Sequence, residues 1–153
     1  MTRRHLDLVL INPSSRAEVY QSLGQSLTAV EPPVWAGLMA SFCRGKGLSV
    51  EIIDAEAEGL TAADVAEQVD DLDPVLAAVV VYGHQPSAST QIMAAAGKAC
   101  SMIREQSPTR KILLLGGHVA ALPERTLREE EADFVAGGEG LHTLVHLVEA
   151  LKT

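Results

Sequence analysis

The sequence predicts an α/β fold of flavodoxin-like or Rossmann-like type: a three-layer sandwich of about five parallel strands in the order 2-1-3-4-5. Three observations carry this. Short, almost wholly apolar runs recur along the chain, as expected of strands buried on both faces of a parallel sheet. Stretches of helical character separate these runs, and strand–helix alternation means right-handed βαβ units. Hydrophobic residues make up 47% of the 153 but aromatics only 3%, so Ala, Val and Leu must build the core. That suits helices packed on a sheet better than an aromatic-rich sandwich of two sheets.

Residues 6–12, LDLVLIN, form the first strand, stopped by Pro13. Residues 14–31 are polar and show little periodicity before Pro32 and Pro33. A loop this long inside a compact domain is functional or disordered. Residues 34–44 form a helix, with Pro33 near its first turn and Gly45 and Gly47 ending it. Residues 48–54, LSVEIID, are the second strand. The next helix is capped by Thr61, whose hydroxyl serves the backbone N–H near Asp64, and Asp73-Pro74 breaks it. Residues 75–82 are the third strand. Residues 83–89, GHQPSAS, are a loop into a long Ala-rich helix that runs to about Glu105.

After Pro108 comes the stretch that organises the chain, KILLLGGH. A wholly apolar strand, residues 112–115, ends in Gly116 and Gly117. Neither glycine carries a Cβ, so the backbone can turn sharply there or something can press closely against it. Pro123 opens a charged helix to about Glu131, whose acidic run reads as a solvated helix end. Phe134–Ala136 is a short edge strand, and Gly137, Gly138, Glu139 and Gly140 turn into the final helix.

Ligands of open α/β sheets bind beyond the carboxyl ends of the strands, at the point where the strand order reverses. That point falls between strands one and three. Loops at residues 13–33, 83–89 and 116–120 should line it, with 137–140 at the far edge.

Composition narrows the function. A net charge of −8 argues against nucleic acid or an anionic membrane as a partner. The apolar run after the basic start, residues 8–11, is too short for a signal peptide or a membrane span, so a soluble, cytoplasmic chain is expected. Cys43 and Cys100 lie far apart with no metal-ligand spacing, and read as buried free thiols of a reducing compartment. The first loop, INPSSRAE, lacks both GxGxxG and the Walker lysine, which argues against a dinucleotide site or a P-loop. It also lacks the Ser/Thr-rich phosphate loop of a flavodoxin. The third strand ends without the Asp that a phosphorylated receiver needs.

The collinear set INP, PPVWAGLMASFCRGKGLSVEIIDAEAEGL, VVVYGHQPSAS, LLLGGHVAALPE and ADFVAGGEG resembles the N-terminal cobalamin (vitamin B12)-binding domain of cobalamin-dependent radical SAM enzymes, a family of methyltransferases and cyclases. The resemblance runs over nearly the whole chain, 1–153. It implies a corrin ring over the carboxyl edge of the sheet and a nucleotide tail threaded beside the strands. Carried over position by position, it implies cofactor contacts from Asn12, Pro13 and Ser14; from Tyr82, Gly83, His84, Gln85 and Ser87; from Gly116, Gly117, His118 and Val119; and from Gly137, Gly138, Glu139 and Gly140. Ser87, Ser89 and Thr90 either bond the tail nucleotide or cap the helix. Glu139 caps a helix or holds a ligand hydroxyl. His118 would meet corrin side chains or the tail phosphate.

Methionine-synthase-like B12 domains carry DxHxxG after the first strand, and its histidine replaces the tail base on cobalt. This chain reads INPSSRAEVY there, so the resemblance implies base-off cobalamin without that ligand. His84 is a candidate for the lower face of cobalt, though a loop histidine bonded to backbone is the plainer reading. His142 and His146, at i and i+4, either bind a metal or pack on the helix face; His5 carries no reading. Trp35 and Tyr20 flank the long loop and either stack near the corrin or, for Trp35, anchor the core. The two cysteines cannot supply the CxxxCxxC motif of a 4Fe-4S cluster. S-adenosylmethionine and that cluster would therefore belong to a radical SAM domain C-terminal to this chain, and this chain alone would catalyse nothing. The competing readings are a flavodoxin-like flavin- or nucleotide-binding module and a protein-interaction module.

Overall fold

A computed structural model describes residues 5–14, 30–83 and 86–153. The elements are β1 (Leu6–Asn12), α1 (Val34–Gly45), β2 (Val50–Asp54), α2 (Ala55–Glu58), α3 (Ala62–Leu72), β3 (Pro74–Val81), α4 (Pro86–Gln106), β4 (Ile112–Gly116), α5 (Gly117–Ala121), α6 (Pro123–Glu129), β5 (Phe134–Ala136) and α7 (Leu141–Lys152). The five strands pair in parallel in the order β2-β1-β3-β4-β5. This is the expected sheet.

The apolar runs feed two cores because successive strand side chains point to opposite faces. Val9, Ile11, Val79, Val81 and Leu114 pack with α3 and α4 residues on one face. Leu8, Leu10, Ala78, Val80 and Leu115 pack with residues of α1 and α7 on the other. Every strand residue from Leu76 to Val81 is 3% exposed or less, which is why the strand shows no polar alternation.

Local chemistry sets the element ends. Thr61 and Asp64 form a capping box at the start of α3. Asp73 ends that helix at φ +46°, and Arg110 holds the turn by donating to the Asp73 carboxylate at 2.8 Å and to the Pro74 carbonyl. At the amino edge of the sheet, the buried Asp7 carboxylate accepts from the Ser49 amide at 2.8 Å and from Lys152 at 2.7 Å, joining β1, the start of β2 and the last helix. Cys43 and Cys100 are both buried. Burial, reinforced by the charge of Glu130, pushes the Cys100 thiol up to about 12, so it stays protonated and inert.

Several boundaries differ from expectation. The second strand begins at Val50, and the third spans Pro74–Val81, leaving Tyr82 just beyond it. The loop expected at 83–89 gives way to helix from Pro86. The loop expected at 116–120 is instead the short helix α5. Among the described residues, no helix is long and apolar enough to cross a membrane.

Candidate functional site

The parallel order delivers all five strand ends to one edge. At the end of β1, the Asn12 side-chain amide donates to Asp54 Oδ1 at 2.8 Å, tying β1 to β2. Asp54 also accepts from the Ala57 amide at 3.2 Å, which caps α2. Pro13 is buried and Ser14 half-buried.

The junction of β3, α4 and β4 is built around a buried serine. Ser89, 2% exposed, donates from Oγ to the Val81 carbonyl at 2.5 Å and accepts the His118 amide at 2.9 Å. The hydroxyl therefore neither faces a ligand nor caps α4; it fastens the end of β3 to the start of α5. Ser87, two residues earlier on the same helix, is exposed. Thr90, also exposed, shares a hydrogen bond with His118 Nδ1 at 3.0 Å, the donor being set by the histidine's tautomer. The imidazole is thereby oriented at the head of α5 and half open to solvent.

The glycines divide by cause. Gly116 has φ +151°, and a Cβ there would strike the Val81 carbonyl, so the fold itself demands glycine. A Cβ on Gly117 would meet only Ser89, at 3.6 Å, and a Cβ on Gly83 would strike that of Ala88. Gly140, at φ +82°, lies against Leu115 at the head of α7. A Cβ on Gly137 or Gly138 would meet nothing within 4 Å, so these two leave backbone open beside β5. Val119 is fully buried and offers the edge only backbone. Glu139 is exposed, and Gly140 is the N-cap of α7 with no side-chain cap, so Glu139 does not cap that helix.

Trp35 is not a core anchor. It is 45% exposed and stacks on Tyr82, with ring centroids 4.6 Å apart and planes 22° apart. Burial raises the Tyr82 hydroxyl above its usual range, and the charge of Glu139 adds to this. His142 and His146 are exposed on α7, and His142 meets the Phe42 ring edge-on at 5.1 Å, the helix-packing role. Among the described residues no group of His, Cys, Asp or Glu could hold a metal. His84, Gln85 and Tyr20 lie outside the described residues.

Two hollows among the described residues lie off this edge. One of about 500 Å³ runs between α1 and α7 and includes Leu38, Phe42 and Leu141. The other, about 440 Å³, opens at the amino edge beside Lys152, which is already committed to Asp7. The carboxyl edge carries exposed hydroxyls, an oriented imidazole, open backbone and an aromatic stack. The serine clamp, the Thr90–His118 pair and the Trp35–Tyr82 stack have no linear signature, since each joins separate elements.

Residues 20–148 match the B12 binding domain family. The uncharacterized methyltransferase PH0819 of Pyrococcus horikoshii is 29% identical over 148 residues, which is 96% of this chain and 30% of that protein. Among solved structures, the radical S-adenosylmethionine methyltransferase TsrM of Kitasatospora setae, with cobalamin and a 4Fe-4S cluster bound, is similar at TM-score 0.72 and 16% identity, over 99% of this chain and 25% of that one. The same enzyme with tryptophan and a SAM analogue bound gives 0.73 at 15% identity, over 95% and 25%. At these identities the structural likeness establishes the fold, and the chain spans less than a third of the length of these relatives. With the parallel sheet, the open carboxyl edge and a family match over most of its length, the chain belongs to the B12 binding domain family.

Proposed function

We propose that this chain is the cobalamin-carrying domain of a larger, cytoplasmic B12-dependent radical SAM methyltransferase, and that it holds cobalamin base-off with no DxHxxG histidine on cobalt. The observation that carries the reading is the family match joined to a β1 end that reads Asn12-Pro13-Ser14, with Asn12 committed to Asp54. S-adenosylmethionine and a 4Fe-4S cluster would be held by a radical SAM domain C-terminal to this chain, as the greater length of the similar methyltransferases suggests.

The residues present fit the group. Cobalamin combines an amide-rimmed apolar macrocycle with a phosphodiester-linked nucleotide. The edge offers hydrogen-bonding groups at Ser87 and at the Thr90–His118 pair, open backbone at Gly137 and Gly138, and an exposed aromatic stack. Ser87, His118 and the Gly137–Gly138 backbone would hold the tail and its phosphate. Gly117 and Glu139 would also flank the tail, and Ser14 and Gly83 would border the ring and its side chains, along with His84 and Gln85. The bound cofactor would supply a cobalt centre able to accept a methyl group and pass it on. The chain's own part is to bind, orient and shield it.

An absorbance spectrum after mixing with hydroxocobalamin and desalting tests this, with flavin mononucleotide in a parallel sample. Retained cobalamin with a base-off spectrum, unchanged in His84→Ala, is the expected result. Retention of the flavin alone would overturn it in favour of a flavin-binding module. A base-off spectrum that shifts in His84→Ala would make His84 a cobalt ligand.

A further inference from the structure

Trp35 is the only tryptophan of an aromatic-poor chain, yet it is 45% exposed. A side chain of this size normally contributes its large apolar area to a core. Here one face stacks on Tyr82, and nearly half of the residue stays exposed. Its neighbours extend the exposure: Val34 is 52% and Leu38 55% exposed. An apolar patch of this kind on a small domain marks a surface that something covers.

Its position says what. Tyr82 directly follows β3, one of the two strands that flank the reversal of strand order, and precedes Gly83. Trp35 lies in the first turn of α1, the helix that leads from the carboxyl edge down to β2. The stack is therefore continuous with the edge on which the glycines, Ser87 and the Thr90–His118 pair lie. The tail-directed groups are small or polar, whereas this corner presents two flat aromatic rings. We infer that the Trp35–Tyr82 stack, extended by Val34, is a shelf for the corrin macrocycle itself, packing on its apolar face independently of the nucleotide tail. The inference rests on the cobalamin reading above and divides that site into a shelf for the ring and donors for the tail.

Cobinamide, the same macrocycle without its nucleotide, separates the two parts. Equilibrium dialysis of the chain against hydroxocobalamin and against cobinamide, followed by corrin absorbance, gives both affinities. Trp35→Ala is expected to weaken both ligands by a similar factor, about tenfold, the usual scale for losing an aromatic stacking partner. Trp35→Phe should recover most of the loss. Leu127→Ala, an equally exposed leucine on α6, should change neither affinity. If Trp35→Ala does not fold by far-ultraviolet circular dichroism, Trp35→Leu keeps the apolar bulk, removes the flat ring, and should show the same loss. A Trp35 variant that binds cobinamide like the wild type while losing cobalamin overturns the shelf and moves Trp35 to the tail. Unchanged binding of both ligands also overturns the shelf, and either result leaves the cobalamin reading standing. A wild-type chain that retains neither corrin overturns both.

Discussion

Ser89 reaches from the first turns of α4 to the last carbonyl of β3, donating to Val81 at 2.5 Å while buried to 2% exposure. Because the same oxygen accepts the His118 amide at 2.9 Å, one hydroxyl satisfies two backbone groups that water cannot reach easily. The candidate site thus rests on an internal fastening, and its histidine is placed by backbone before any ligand arrives.

Removing that hydroxyl should cost more than one ordinary hydrogen bond. Ser89→Ala strands the Val81 carbonyl and the His118 amide, a loss of about 1–3 kcal/mol. The midpoint of thermal unfolding should fall by about 2–4 °C for each kcal/mol. Calorimetry checks this, and an unchanged midpoint would mean that solvent replaces the serine.

The neighbouring glycines should respond in opposite ways. Gly116→Ala forces a methyl group onto the Val81 carbonyl at φ +151°, and should destabilise by about 3 kcal/mol. Gly117→Ala meets Ser89 at an ordinary 3.6 Å and should raise stability by about 0.5 kcal/mol. Urea unfolding of the two variants side by side gives the contrast.

Gly97, in the middle of α4, makes room for Glu130. A Cβ there would strike a carboxylate oxygen of Glu130, which is the mobile end of a long side chain. Burial raises the Glu130 carboxyl above its usual range, with the charge of Glu129 adding and that of His118 opposing. An acid raised in this way opposes folding when ionised, and the penalty is relieved as pH falls through its folded value. Gly97→Ala should push Glu130 into water, return its titration toward the ordinary range, and add about 0.5–1 kcal/mol of stability from helix propensity alone. The gain should be larger at neutral than at acid pH. Urea melts at both pH values, with a carboxyl titration by nuclear magnetic resonance, read the two effects.

Asp7 should act with the opposite sign. Burial alone would raise its carboxyl, but the hydrogen bond from Lys152, those from Ser49 and the lysine's charge outweigh it, so the group is held below the usual carboxylate range. A depressed folded value means that its contribution is present above the unfolded value and is lost as pH falls through the folded one. Asp7→Asn should therefore be less stable than wild type near neutrality, and the two should converge in acid. Parallel curves across the whole range would show that Asp7 contributes by shape alone.

Much of this was legible in the chain. Residues 112–115 and 75–81 are apolar whichever way they face, because helices cover both sides of the sheet, and that pattern announces a buried parallel strand. The Thr61 cap was equally local, since an N-cap and its partner lie three residues apart. The helix α5 was not legible. Five residues that begin with glycine have no helical signal of their own, and the Ser89 hydroxyl helps to hold the first turn by accepting the His118 amide.

The site shows the same division more sharply. Composition, strand punctuation and the INP, GGH and GEG pieces were enough to predict the fold class and a likeness to cobalamin domains, and they point to the edge where a ligand is expected. They could not rank Ser87 against Ser89, which share one short polar run. On a helix, residues two apart point about 200° apart, so one serine is buried in the β3–α5 joint and the other faces solvent. Nor could they pair Thr90 with His118, 28 positions away, or stand Trp35 on Tyr82. Local pattern determined the strands and helices because burial and backbone preference act on neighbours in sequence. Which side chains meet at the carboxyl edge was decided only when the parallel crossovers brought distant strand ends together.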